Sequence, residues 1–484
     1  MAFIRKFIIS TWNSATITSW FNFSSTILSG ILLLPLASKY LSIEELSFWL
    51  LLSIFSNLNQ LADFGFNSSF VRSIAHAYGG ESSILIYRNK ASIRNNNLKP
   101  NWEFLFKIFS TTNFIYFFLA ILFSLLIGLI GFYGLQKSIN LLTDPMQGWI
   151  CLLVVISSLF MKIFGNKYQI FLEGINLVSV VQRNKGLINS ITIILASISL
   201  ITQSSLLNLV ILQQFGALLI IFSLYLKTKS YIRLNSLSHY KKASVSDKKI
   251  IYSLFPIAWR TWIGVLMSYG LLQFSGIILA QYETSALIVA YLFSIKIFEI
   301  LKGFSNVPFY SQIPKMNILF IKKEFQKLNS IFKLRGSMTT IIFTLSAMII
   351  GLFNVYLFNY FDINIELLNF DLWLVLSLAF LLERYGALHI QFLTLSNNII
   401  WHIANGITGL LYVLLFIIFN KLDYELVESI SFSFFLANLL FYFWYPAIKS
   451  YRFYKLNFIK LELFVSFPPI LIILLSIFLN FYFD

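Results

Sequence analysis

The chain is poor in charge, in histidine and in cysteine, and each shortage closes off a class of protein. Only 12% of its 484 residues are Asp, Glu, Lys or Arg, against 58% hydrophobic, and the mean hydropathy is +0.78. A soluble domain usually carries about twice that charge, so a water-exposed globule is excluded. The four histidines, His76, His239, His389 and His402, are scattered, and neither HExxH nor a cysteine pair is present. The sequence therefore offers no metal-ligand spacing. The one cysteine, Cys151, rules out an intrachain disulfide framework and sits in an apolar run, where it reads as a packed thiol. GxxxxGK[ST] is missing, so there is no built-in nucleotide motor. The basic pair Arg5 and Lys6 is not followed by a clean small-residue cleavage site, and the first apolar run reads as retained.

What is present is a series of apolar runs of membrane-crossing length. They lie at about 17–38, 46–61, 111–134, 148–162, 187–201 and 206–226, with the fourth able to continue through Tyr168 and Phe171. They resume at about 251–279, 286–310, 338–358, 372–393, 399–419, 427–447 and 461–481. Most hold the roughly 17–25 residues that a helix needs to cross hydrocarbon, and lipid forces such runs to be helical. The expected fold is an all-α polytopic membrane protein of about 13 spans in two pseudo-symmetric six-helix lobes. The expected division is an N-terminal lobe at 1–226, a basic connector at 227–250, a C-terminal lobe at 251–447 and an extra segment at 448–484. The connector carries Lys227, Lys229, Arg233, Lys241, Lys242, Lys248 and Lys249 against Asp247 alone.

Charge placement sets the orientation. Of the 36 Lys and Arg, only Lys39, Lys137 and Lys421 fall in the odd-numbered connectors, and Arg260, Lys296, Lys302 and Arg384 fall inside spans. The rest collect on the N-terminal side, which places the N-terminus in the cytoplasm and accounts for the net charge of +16 without nucleic acid. The outer connectors are too short to hold a catalytic domain, so no covalent chemistry is expected.

Charges within spans are costly and normally face a bundle interior or a water-filled cavity. Arg260, Lys296, Lys302 and Arg384 are the candidates to line such a cavity, with Glu299 and Glu383 as charge partners. Lys296, Glu299 and Lys302 share one helix face at spacings of three. One reading is a set of salt bridges that locks helices together; the other is a basic cavity for an anionic headgroup. A second cluster, Asp63, Gly65 and Arg72, stands at the end of the second run. There Gly65 permits a break or close backbone approach, and Asp63 with Arg72 could clamp a cytoplasmic gate.

The opening stretch carries a resemblance. Gly30-Ile-Leu-Leu-Leu-Pro35, Tyr40-Leu-Ser42, Glu44-Glu45, Phe48-Trp49 and Asp63-Phe-Gly65-Phe-Asn67-Ser-Ser69, followed by Arg72, resemble bacterial O-antigen and capsular-polysaccharide repeat-unit flippases. These belong to a superfamily with multidrug extruders and the peptidoglycan-precursor flippase. The resemblance implies two six-helix lobes in a V, in the bacterial inner membrane. It implies as cargo an undecaprenyl-pyrophosphate-linked oligosaccharide, flipped to the outer leaflet for surface polysaccharide such as lipopolysaccharide. Bilayer lipid, a polysaccharide polymerase and chain-length machinery would be partners. No cofactor is implied, and the coupling ion, H+ or Na+, is left open, as are a cation-coupled multidrug exporter and a membrane enzyme acting on lipid-linked sugars.

Overall fold

The structure, a computed structural model, describes residues 14–80, 99–203, 205–243, 246–360, 365–396 and 400–483. It divides into two compact units, Met1–Trp262 and Ile263–Asp484.

The first unit opens with α1 (Ala15–Leu28), a five-residue π turn (Ser29–Leu33) and α2 (Leu34–Tyr40). Next comes α3 (Ile43–Asn57), started by a capping box in which Ser42 and Glu45 satisfy each other's backbone N–H groups. After a helical turn at Asn59–Ala62, Phe64 and Gly65 take positive φ angles of 48° and 70°, and α4 (Phe66–Tyr78) begins. The long helices α5 (Trp102–Gly134), α6 (Pro145–Gly174), α7 (Val178–Gln203) and α8 (Leu206–Leu234) complete the bundle. Helix α6 packs against α3, α4, α5 and α8, and α7 against α1 and α8. The chain then enters α9 (Lys248–Val265), whose Pro256 lacks the N–H that a helix interior uses.

The second unit takes over near the end of α9, with a π turn (Leu266–Gly270) and α10 (Leu271–Tyr282). It continues through α11 (Ser285–Tyr310), α12 (Ile313–Ile321), α13 (Phe325–Tyr360), α14 (Phe370–Thr394) and α15 (Trp401–Lys421). Then follow α16 (Leu426–Ala437), a π turn (Asn438–Tyr442), α17 (Trp444–Tyr454), α18 (Phe458–Val465) and α19 (Phe467–Phe483). The pairings of the first unit recur. Contacts α5–α6, α6–α8 and α7–α8 are matched by α13–α14, α14–α16 and α15–α16, and α1–α7 by the π turn at 266–270 against α15. Helix α14 is the hub: 67% of its apolar stretch is buried, against 22% for α7. Helices α18 and α19 pack on α13.

The expected count of about 13 spans requires correction. Among the described residues nine helices are long and apolar enough to cross a membrane, or ten if the pair Lys248–Pro256 and Ala258–Ser268, bent by 48°, counts as one. Each shortfall has a local cause. The first run is cut by its π turn into pieces of 14, 5 and 7 residues, and the second ends after 15. The seventh is broken at Pro256 and again by a π turn. Helix α11 has the length, 26 residues, but carries Lys296, Glu299 and Lys302. In the opposite direction, the connector expected after residue 162 shrinks to three residues between α6 and α7. Lys162, Lys167, Arg183 and Lys185 are therefore helical positions. At 1.5 Å per residue the 30-residue α6 spans about 45 Å, longer than the roughly 30 Å hydrocarbon slab.

Candidate functional site

Residues 158, 162, 166, 169 and 173 recur at near-helical spacing on α6, which lines Ser158, Lys162, Asn166, Gln169 and Glu173 along one face. Each finds a polar partner inside the first unit. Lys162 Nζ donates to Gln214 Oε1 at 2.7 Å, and Ser158 Oγ donates to the same oxygen at 2.6 Å. The amide end of Gln214 reaches Ser56 Oγ at 3.3 Å, so one side chain ties α3, α6 and α8 together. Lys185, from α7, donates to Gln169 Oε1 at 2.7 Å, and Gln169 passes a hydrogen bond on to Glu173 at 2.9 Å. On the neighbouring face, Lys167 is 4% exposed, bonds Asn113 Oδ1 at 2.5 Å and lies 3.1 Å from the centroid of the Phe164 ring. Among the described residues no carboxylate bonds Lys162. Lys162, Lys167 and Lys185 each donate to an amide oxygen, which satisfies a proton without cancelling charge, and of these Lys185 also has the carboxylates of Glu173 and Asp63 acting on it.

Asp63 belongs to the same network. Its carboxylate accepts from Asn166 at 2.7 Å and from Asn67 at 3.4 Å, and the charge of Lys185 acts on it. Arg72 is exposed on α4 and, among the described residues, makes no ion pair with it. Gly65 is where the chain turns against α9: a β-carbon there would run into the carbonyl oxygen of Ala258. The turn is fastened by Trp262, which donates to the Leu61 carbonyl at 2.9 Å and stacks on Phe64 with centroids 4.3 Å apart. Arg260 is exposed on the same helix, beside the exposed Trp259.

In the second unit the bases are answered by acids. Lys302 Nζ lies 2.7 Å from Glu383 Oε2, and Lys296 Nζ 3.0 Å from Glu299 Oε2. Glu299 also accepts from Gln273 at 3.1 Å. Arg384 is 8% exposed, its Nε has no hydrogen-bond partner among the described residues, and its charge acts on Glu383 beside it. Glu383 opens onto a cavity of about 30 Å³, bounded by both π turns of this unit through Met267, Ser268, Asn438 and Tyr442, and by Asn405, Thr408 and Tyr412 of α15. π turns often mark functional positions, because they displace side chains from the helical ladder.

A third polar cluster lies where α18 meets α14 and α17. Glu462 accepts from Tyr385 Oη at 2.5 Å and also from Tyr451 and Ser466. His389, 1% exposed, packs among Phe332, Tyr385 and Tyr451.

The charges in unmistakably apolar runs are the ones that sequence reasoning singles out. It misses Lys162, Lys167, Lys185 and Gln214, and the signal that could have found most of the first cluster is the polar stripe on α6. Sequence reasoning also placed Lys162 at the end of a span and Lys185 in a loop.

No protein-family model matches the sequence, and no curated protein matches it. The fold does match. An inward-facing multidrug resistance MATE family transporter of the MOP superfamily aligns with TM-score 0.62 at 12% identity, over 90% of this chain and 94% of its own. The lipid II flippase MurJ, in an inward closed conformation, aligns with TM-score 0.62 at 15% identity, over 97% and 91%. An outward-facing multidrug resistance MATE family transporter aligns with TM-score 0.54 at 12% identity, over 92% and 98%. The chain is an all-α polytopic membrane protein with the fold of these transporters.

Proposed function

We propose that the chain is a transporter that turns over an amphipathic anion, an undecaprenyl-pyrophosphate-linked oligosaccharide, between leaflets of the bacterial inner membrane during surface polysaccharide synthesis. One observation carries the reading. Lys162 sits inside the first unit with an amide oxygen and, among the described residues, no carboxylate on its ammonium, whereas Lys185 has Glu173 and Asp63 near it as well as its amide partner. Burying uncompensated charge is expensive unless a counter-charge arrives, and a diphosphate supplies one. Lysine is a compact charge on a flexible stem, suited to following a moving phosphate, and the exposed Arg260 adds a fork for phosphate oxygens. The lipid tail stays in the bilayer. The N-terminus faces the cytoplasm, where the repeat unit is made, and a polymerase would receive it on the other side.

The test is translocation of a fluorescent polyprenyl-pyrophosphate saccharide in proteoliposomes, normalised to inserted protein. Lys162→Ala and Lys185→Ala should each lower the rate about tenfold or more. Full activity in the double variant would sink the anionic reading.

A second reading, cation-coupled multidrug export, is favoured by Glu383 at its cavity, and two of the three fold matches above are multidrug resistance transporters. Efflux of a lipophilic cationic dye that depends on Glu383 and is indifferent to Lys162 would select it.

A further inference from the structure

Three lysines stand where α13, α17 and α18 meet. Lys333 of α13 is half-buried, and its ammonium lies 3.4 Å from the centroid of the Phe464 ring on α18. One turn earlier on α13, Asn329 Nδ2 donates to the Tyr454 carbonyl at 3.3 Å, which sets the next residue, the exposed Lys455, close to the same face. Lys455 holds that place with φ 52° and ψ 47°, the left-handed conformation that glycine usually takes at a helix end. Lys460 is exposed on α18, one turn ahead of Phe464 and in line with it. Among the described residues none of the three makes a salt bridge. The two carboxylates that these elements bring are spent. Glu462 leaves the opposite face of α18 for Tyr385, Tyr451 and Ser466, and Glu324, just ahead of α13, is bonded to Lys327.

Beside these lysines the surface is apolar. Ile459, Leu463 and Phe464 are 69, 53 and 52% exposed. Helices α18 and α19 together make one stretch fit to cross a membrane, Phe458–Tyr482, so these side chains meet hydrocarbon and Lys460 falls at its edge. Helix α13, at 36 residues, is about 54 Å long, and Lys333 lies near its start, beyond a slab of roughly 30 Å. Unpaired ammonium groups at the rim of an exposed apolar strip match a lipid with a negative head. A zwitterionic head brings its own cation, which the lysines repel. We propose that the junction of α13, α17 and α18 binds an anionic phospholipid, with Lys333, Lys455 and Lys460 on its phosphate and Ile459, Leu463 and Phe464 along an acyl chain. The lipid fastens α18 to α13 from outside, as the bond from Thr340 to the Val465 carbonyl, 2.7 Å, does from within. This claim stands apart from the transport reading above.

The experiment uses the full-length protein in a neutral detergent, without cargo. Melting is followed as dioleoylphosphatidylglycerol or dioleoylphosphatidylcholine is added. The wild type should gain a saturable rise of roughly 2–4 °C from the anionic lipid beyond that from the zwitterionic one. Lys333→Gln/Lys455→Gln/Lys460→Gln should lose most of that difference. Lys227→Gln/Lys229→Gln/Lys248→Gln, which removes the same charge from the first unit, should keep it. Equal responses of the wild type to both lipids overturn the proposal, as does a loss in the control variant as large as that at the junction. Should the junction variant fail to insert, Lys455→Gln/Lys460→Gln decides, since both side chains are exposed, and an undiminished response there overturns the idea. Farnesyl pyrophosphate is the last arm. If it stabilises through the same three lysines while phosphatidylglycerol does not, the site belongs to the cargo and the lipid is excluded. Failure of the cargo reading itself shows only in the translocation assay.

Discussion

In the first unit a half-buried lysine is bonded to an amide; in the second it faces a carboxylate. Lys162–Gln214 joins α6 to α8 and Lys302–Glu383 joins α11 to α14, both at 2.7 Å. Their electrostatics differ. An amide satisfies a proton and leaves the charge, whereas a carboxylate cancels the charge and ties the two partners' fates together. On the proposed reading the first unit is the one suited to an external anion, while the second pairs its bases with its own acids.

The strongest way to break the comparison is to unbalance the second unit. Glu383→Gln leaves Lys302 and Arg384 without their counter-charge in a region only about one-fifth exposed. A buried pair loses about 3–5 kcal/mol when one partner goes, and partial solvent access lowers the expectation here to about 2–3 kcal/mol. Adding Lys302→Met should restore most of it, with a coupling energy of about 1–3 kcal/mol in a double-mutant cycle of unfolding. Additive losses would show that the two side chains do not depend on each other.

In the first unit the largest stability cost should come from backbone, not charge. Gly65→Ala has to hold φ near 70° and push its β-carbon off the Ala258 carbonyl. About 2 kcal/mol is expected from the left-handed conformation together with the displaced contact. The loss should fall when Trp262→Ala has already loosened the turn, and a Gly65→Ala protein that melts like the wild type would mean that α9 is not fastened there. Next in size is Glu462→Ala, which leaves Tyr385 and Tyr451 without their acceptor for about 1–2 kcal/mol. Glu462→Gln keeps an acceptor oxygen and should cost less. Equal losses in the two would assign the effect to packing of α18.

Lys162→Gln turns the same logic around. Gln214 retains Ser158 and Ser56, so nothing is stranded, and thermal unfolding should move by less than about 1 kcal/mol. If instead it destabilises as much as Glu383→Gln, the amide and the carboxylate are equivalent anchors and the contrast between the units collapses.

How much of this could be read from the sequence depended on how strongly a residue violated its surroundings. Lys296, Glu299, Lys302 and Arg384 interrupt apolar runs, and the spacing of three between Lys296 and Glu299 already implies their pairing. Lys162 and Lys185 are as deeply involved, yet they stand beside other polar residues, and an apolar run followed by lysines looks like a helix ending in water. Only the three-residue turn between α6 and α7, which no composition reveals, shows that both helices run on. The π turns were illegible for a different reason. An inserted residue is a backbone event decided by packing, and Leu266–Gly270 has nothing in its side chains that demands it.

The smallest expected effect is the sharpest control on the largest. Lys327 and Glu324 also stand 2.7 Å apart, the same distance as Lys302 and Glu383, but the lysine is 74% exposed and the acid 36%. Glu324 lies just ahead of α13, outside the apolar stretches, and Lys327 holds its carboxyl below the usual carboxylate range by hydrogen bond and charge. The sign follows: whatever the pair contributes is present above the ordinary carboxylate pKa and fades as pH falls through the lowered one. Water screens both partners, and holding two long side chains in register has its own entropic cost, so Glu324→Gln should leave unfolding unchanged at neutral pH. Measured beside Glu383→Gln, it removes distance as an explanation and leaves burial. If Glu324→Gln destabilises comparably, separation alone sets the strength of these pairs, and the second unit's closed charges lose their special standing against the first unit's open ones.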